Sequence, residues 1–288
     1  MKLIIQPDDG ITPLVKAVRK AKKSIDIVIF RFDRNELAKA LSDAVARGVP
    51  VRALIAHTNR GGEKSLRKLE LKLLAAGVTV SRTADDLPRY HGKMMIVDDV
   101  LYLLGFNYTK QDIDKSRSFG IVTRDKRLVK EALALFEADN NRTDYAPGYG
   151  RLVVSPETSR AVLSDFIKGA KKELLIYDEK LTDNLMLRIL EERVKAGVKV
   201  RVIGKMERDL KGVKSVKLPD LRLHVRAMVR DRVDAFVGSQ SLRKLELDGR
   251  REVGVIVHNR RIARKIQSVF ESDWVHAAPK RLLKAAAS

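Results

Sequence analysis

Residues His91-Gly92-Lys93-Met94-Met95-Ile96-Val97-Asp98 and His224-Val225-Arg226-Ala227-Met228-Val229-Arg230-Asp231 spell one pattern twice: His-x-(Lys/Arg), four residues, then Asp. Each is followed by a glycine seven residues after the Asp, at Gly105 and Gly238. The pairs His91/His224, Met95/Met228, Asp98/Asp231 and Gly105/Gly238 share one offset of 133 residues. A chain written twice folds as two similar halves, and this repeat constrains the architecture more than any single segment does. The duplication extends outside the motifs. Ala21 to Ile27 aligns with Ala170 to Ile176 at offset 149, Gly48 to Arg52 with Gly197 to Arg201 at the same offset, and Phe136 to Asp139 with Phe270 to Asp273 at offset 134. The fall from 149 to 133 leaves about sixteen extra residues in the first half, where Glu63 to Leu74 carries the spacing of an amphipathic helix.

Each half follows one order. A helix (13 to 22; 159 to 170) leads into an apolar run of strand character (24 to 32; 173 to 177). A second helix (34 to 47; 184 to 196) stops at Gly48 or Gly197, as helices end on glycine. A strand (51 to 56; 199 to 203), the motif hairpin, another strand and a last helix complete it. Alternating strands and helices predict an α/β fold: a duplicated α/β sandwich of two pseudo-twofold-related halves, 1–146 and 151–288, with the site at their interface. The linker is the turn-rich stretch Ala146-Pro147-Gly148-Tyr149-Gly150.

On a strand, residues two apart share a face, so His91 projects with Lys93 and His224 with Arg226. An imidazole can attack phosphorus or move a proton near neutral pH. A neighbouring cation can hold phosphate oxygens as charge develops. In the second motif Leu221, Leu223, Val225, Ala227 and Val229 form an apolar face expected to pack against helices. The other face carries Arg222, His224, Arg226 and Arg230, a set that is expensive to bury unless it meets an anion. His57, His258 and His276 lack motif companions and read as surface or loop residues. No cluster has metal-ligand spacing, so no metal or other cofactor is expected. A Walker loop, a G-x-S-x-G elbow and a G-x-G-x-x-G fingerprint are absent.

These motifs resemble those of the phospholipase D superfamily, whose signature is a paired His-x-Lys-x4-Asp. Gly105-Phe106-Asn107 and Gly238-Ser239-Gln240-Ser241 resemble its Gly-Ser/Thr-x-Asn, and Glu252-Val253-Gly254 its Glu-x-Gly. Phe270-Glu271-Ser272-Asp273-Trp274 is similar to the closing segment of cardiolipin-synthase-like members. The resemblance implies a phosphodiesterase in which one histidine attacks phosphorus and the other serves as acid and base, the two starting in opposite protonation states. It implies Glu252 as the carboxylate that orients His91. The matching position, Ser118, is no carboxylate, so His91 is assigned as nucleophile and His224 as general acid/base. Lys93 and Arg226 are then the phosphate clamp, with Asn107, Ser239, Ser241 and Arg222 on substrate. Asp98 and Asp231 are structural, at hairpin corners. Arg226 stands in place of the usual Lys and Ser241 in place of Asn. With Ser118, these departures leave a phosphodiester-binding pseudoenzyme as an alternative.

The formal charge of +21 points to polyanionic partners, anionic phospholipid or nucleic acid. Aromatic residues make up only 5%, which leaves little for base stacking, so phospholipid headgroup hydrolysis or phosphatidyl transfer is favoured over a nuclease. There is no cysteine, which fits a reducing cytoplasm. The first residues hold only a short apolar stretch without a signal-peptide core, and no run approaches about 18 apolar residues. The expectation is a soluble cytoplasmic protein without a transmembrane segment, meeting lipid by peripheral association with the inner face of a membrane. A monomer is sufficient for a complete site.

Overall fold

The computed structural model describes residues 1–277 and shows the duplication as topology. The first half runs β1 (Lys2–Gln6), α1 (Thr12–Lys20), β2 (Ile25–Ile29), α2 (Asn35–Ala46), β3 (Val51–Ile55), α3 (Gly62–Ala75), β4 (Thr79–Arg82), β5 (Met94–Val97), β6 (Val100–Leu104), α4 (Lys110–Asp114), β7 (Ser116–Thr123) and α5 (Lys126–Asn141). The second runs β8 (Leu152–Ser155), α6 (Ser159–Lys168), β9 (Glu173–Leu181), α7 (Asn184–Lys195), β10 (Lys199–Met206), β11 (Lys214–Val216), β12 (Arg222–Leu223), β13 (Arg226–Arg230), β14 (Asp234–Gly238), α8 (Lys244–Asp248), β15 (Glu252–His258) and α9 (Arg260–Ala277). One sheet is ordered β1-β7-β6-β5-β2-β3-β4 and the other β8-β15-β14-β13-β9-β10-β11, position for position the same. Each half opens with an edge strand, β1 or β8, that helix and strand periodicity did not anticipate.

The parallel pairs β2/β3 and β9/β10 arise from helical crossovers, α2 and α7. Both helices end where the sequence placed a stop: Gly48 and Gly197 take φ of 82° and 85°, the left-handed conformation that lets the chain leave a helix. Leu37, Leu41 and Ala44 of α2 lie on one face and are fully buried against Ile27 and Ala53. Met186, Leu187 and Leu190 of α7 do the same against Ile176 and Val202. The long α3, where the halves differ, buries only Leu66 and Leu73.

The largest cluster lies between the sheets. It takes Ile96, Leu103 and Phe119 from one, Val225, Ala227 and Val229 from the other, and Leu135, Phe136, Phe270 and Trp274 from α5 and α9. The apolar face of β13 thus packs on the opposite sheet as well as on helices. Two buried ion pairs clamp the halves together in matched positions. Arg117 of β7 meets Asp273 of α9 at 2.8 Å, and Arg251, just before β15, meets Asp139 of α5 at 3.1 Å. Arg117 also donates to the carbonyl of Gln6, and Arg251 to that of Ser155.

At both hairpin corners an aspartate has φ of 52°. The carboxylate of Asp98 accepts from the backbone N–H groups of Lys22, Lys23 and Ser24, and that of Asp231 from those of Lys171, Lys172 and Glu173. These aspartates therefore join each hairpin to the start of the adjoining strand, at the end of β5 or β13 remote from its histidine. No helix among the described residues is long and apolar enough to cross a membrane.

Candidate active site

The motif histidines do not sit in the long hairpin strands, as their spacing suggested. They occupy extended lead-ins just before β5 and β13, and each lead-in is docked on the other half. His91 N donates to the carbonyl of Arg251 at 2.7 Å, and Arg251 N donates back to Arg89 at 2.9 Å. In the mirrored contact His224 N donates to the carbonyl of Arg117 at 3.3 Å, while β12 pairs in parallel with β7. The repeated glycines meet where the halves touch: a Cβ on Gly105 would lie 3.2 Å from the carbonyl oxygen of Gly238 and 2.9 Å from that of Phe119. The spacing between the two half-sites leaves no room for a side chain there.

His91 Nδ1 lies 2.9 and 3.1 Å from the two carboxylate oxygens of fully buried Glu252. A ring proton on Nδ1 would be accepted by this carboxylate, which favours the tautomer with its lone pair on Nε2. Lys93 Nζ stands 2.8 Å from Nε2 and 2.9 Å from Nδ1. The ring edge of Phe30 packs on the imidazole at 4.5 Å between centroids. Burial, then Lys93 and Arg226, hold the His91 imidazolium well below its usual range. Burial also brings Lys93 down to about 7, with Glu252 opposing and Arg226 assisting.

His224 is held less firmly. Its Nδ1 lies 3.5 Å from Asp112 Oδ2 and has no hydrogen-bond partner. Asp112 is committed elsewhere: it accepts from Asn107 N at 3.0 Å, Asn107 Nδ2 at 2.6 Å and Arg222 at 2.5 Å. Burial, followed by Arg226, Lys93, Arg222 and His91, drives the His224 pKa well below its normal value. Burial and the surrounding cations thus disfavour the charged form of both imidazoles. Ser118 does not touch the His224 ring, because its hydroxyl donates to the His224 carbonyl at 2.8 Å.

Arg226 is 5% exposed and donates to Ser241 Oγ at 3.2 Å and to Glu179 Oε2 at 3.1 Å. Ser241 Oγ in turn donates to Asp178 at 2.5 Å. Burial alone would lower the Arg226 pKa, but Glu246, Asp178 and Glu179 raise it further. Burial pushes Asp178 up to about 6, against the pull of Arg226. The first half has Ile29 and Phe30 where the second has Asp178 and Glu179, at the 149-residue offset. Arg226 thus came with its own acidic cradle. Ser239 spends its hydroxyl on the backbone of Val253.

The structure therefore brings together His91, Lys93, His224, Arg226, Glu252, Asn107, Ser241 and Arg222, and leaves Asp98 and Asp231 apart. It adds Asp112, Glu246, Asp178 and Glu179, which the motif reading missed. Two of these were legible. Asn107-x4-Asp112 repeats as Ser241-x4-Glu246 at offset 134, and in each the backbone N–H of the first residue donates to the acid. Asp178 and Glu179 left no such signal, having no acidic counterparts. The acids answer an energetic demand: an isolated charge buried like Lys93 or Arg226 would cost several kcal/mol.

Comparison with known proteins follows the same lines. The family model described as "Cardiolipin synthase, PLD-like domain" matches residues 14–140 and 163–274. Mitochondrial cardiolipin hydrolase of Homo sapiens is 30% identical over 133 residues, 45% of this chain and 50% of that protein. The Mus musculus protein of the same name is 29% identical over 132 residues, 45% of this chain and 58% of that one. The chain thus spans about half the length of the curated relatives it matches. Polyphosphate kinase from Porphyromonas gingivalis superposes with a TM-score of 0.78 at 17% identity, over 94% of this chain and 50% of that one. Phosphatidylserine synthase from Haemophilus influenzae gives 0.70 at 11% identity, over 94% and 85%. At such identities these two likenesses establish the fold alone. With both copies of its motif inside the matched segments, the chain belongs to the cardiolipin-synthase, PLD-like family of the phospholipase D superfamily.

Proposed function

We propose that the chain is a metal-independent phosphodiesterase acting through a phosphohistidine, with anionic phospholipid as its substrate. The observation that carries this reading is the His91–Glu252 pair set against two buried cations, Lys93 and Arg226. His91 Nε2 attacks phosphorus while Lys93 and Arg226 hold the non-bridging oxygens. The bond from phosphorus to the leaving alkoxide breaks, and His224 gives that oxygen its proton. Water or an alcohol then attacks the phosphohistidine, His224 takes back a proton, and the P–N bond breaks to free His91. Neutral His91 suits the first step, but His224 must be charged. Burial is the main cause that holds the His224 pKa down, and the negative phosphodiester supplies a bias the other way by offsetting the cations that add to it.

Arg226 supports turnover rather than a retired site, because its guanidinium is oriented by Ser241 and Glu179 instead of being left loose. The phospholipid assignment rests on the family match and on the +21 charge, which suits an anionic bilayer surface. The test is turnover in EDTA of bis(p-nitrophenyl) phosphate, phosphatidylglycerol vesicles and single-stranded DNA by wild type and His91→Ala. Loss of phosphatidylglycerol turnover in the variant is the expected result. Cleavage of DNA alone would make the chain a nuclease, and binding without turnover a phosphodiester-binding scaffold.

A further inference from the structure

A cleft of about 320 Å³ lies beside the His224 half of the site, lined by Glu179, Lys180, Gly204, Lys205, Lys217, Leu218, Arg222, Leu223 and Arg243. Five of these nine residues are cationic and one is acidic. Three connect directly to site residues. Glu179 holds Arg226, Arg222 holds the Asp112 carboxylate that faces His224, and Arg243 pairs with Glu246, whose other oxygen accepts from Ser241 N. Glu179 is spent on Arg226, and Lys180 approaches Glu207 at 3.7 Å. Lys205 and Lys217 are exposed and enter no ion pair among the described residues. Arg243 also keeps a buried Nε donor without a partner.

Only part of this charge recurs in the first half, where Lys180 and Arg222 match Arg31 and Arg89 at offsets 149 and 133. At the matching offsets Lys205 corresponds to Ala56 and Arg243 to Thr109. The floor is specific as well. Gly204 has φ of 148°, and a Cβ there would fall 1.6 Å from the carbonyl oxygen of Asp178. No larger residue could occupy that irregularity in β10, so the cleft stays open beside the acid that supports Ser241 and Arg226.

We propose that this cleft binds a second phosphate group carried by the headgroup of the lipid substrate, next to the phosphodiester held by Lys93 and Arg226. The inference rests on the phospholipid reading and deepens it. Unpaired cations around a small concavity suit a compact, multiply charged anion. The cleft is at the small end for a ligand site and presents no aromatic ring, so it suits a phosphate on a short polyol better than a stacked nucleotide.

The test compares binding of short-chain, water-soluble phosphatidylglycerol with that of phosphatidylglycerol phosphate, which differs only by a terminal phosphate. Calorimetry on wild type and on Lys205→Ala/Lys217→Ala reads the effect without requiring turnover. Both lysines are exposed, and a thermal unfolding curve checks that the variant is folded. The expected result is a preference of tenfold or more for the second phosphate in wild type, falling below threefold in the variant. Wild type that binds both lipids equally, or a variant that keeps the preference, would overturn the proposal. So would a single-stranded oligonucleotide that binds more tightly than either lipid and loses its affinity in the variant. If the preference appears and collapses as expected while no lipid is hydrolysed, the catalytic reading fails and the cleft stands.

Discussion

His91 Nδ1 lies 2.9 Å from a carboxylate oxygen of Glu252, a residue 161 positions later in the chain. On the other side of the site His224 Nδ1 comes no closer than 3.5 Å to Asp112, whose oxygens are already occupied by Asn107 and Arg222. The duplicated fold thus holds two unequal histidines, and the inequality underlies the order of roles proposed for them.

Replacing the firmer carboxylate should cost more. Glu252→Gln keeps the volume but cannot stabilise the ring charge, and kcat on bis(p-nitrophenyl) phosphate should fall on the order of a hundredfold. Asp112→Asn should cost about tenfold, because that acid is not hydrogen-bonded to its imidazole. The reverse order would exchange the two histidines' roles.

The covalent intermediate gives a direct check. His224→Ala lacks the base for the second step, so a substrate with a good leaving group should leave a phosphoryl adduct on His91, detectable by mass spectrometry. His91→Ala should give none. An adduct on His224 in the His91→Ala protein would identify the wrong nucleophile here.

Lys93 makes stability depend on pH. Its pKa falls from 10.5 when unfolded to about 7 when folded. Between these values the unfolded chain binds more protons, so this residue makes stability rise with pH across that window. Below pH 7 the full cost of burying the charge is present. Lys93→Met should therefore unfold at a temperature higher than wild type by about 4 °C or more at pH 6, with the gap closing towards pH 10. A gap that widens with pH would contradict the assignment.

Arg226 is adapted to its acidic cradle, so the family's own residue should be worse here. An ammonium cannot reach Ser241 and Glu179 with two donors in fixed directions. Arg226→Lys should lower kcat/KM about tenfold. A gain in activity would mean that the guanidinium impairs the site.

The two cross-half clamps should differ in strength. Arg251 keeps a second carboxylate, Glu157, at 2.5 Å, whereas the second acid near Arg117 is the exposed Asp8 at 3.6 Å. Asp273→Asn leaves Arg117 buried with little compensation and should cost about 3 kcal/mol. Asp139 is pushed up to about 7 by burial, so Asp139→Asn near neutral pH removes less charge and should cost about 1 kcal/mol. Denaturant midpoints for the two variants test the ranking.

The sequence by itself determined the duplication, the α/β class and most of the residues of the candidate site. Those properties are written locally: helix and strand periods, the glycine stops at Gly48 and Gly197, and a His-x-cation spacing that survives in both halves. What only the tertiary structure decided is how the halves face each other. Which acid meets His224, and what holds Arg226, depend on the docking of lead-ins across an interface and on distant residues such as Asp112 and Glu179, the latter 47 positions from Arg226. Asp112 was half-visible through its repeat as Glu246. Asp178 and Glu179 were not, because a buried charge selects its partner by proximity after packing, and proximity of that kind has no period in the sequence.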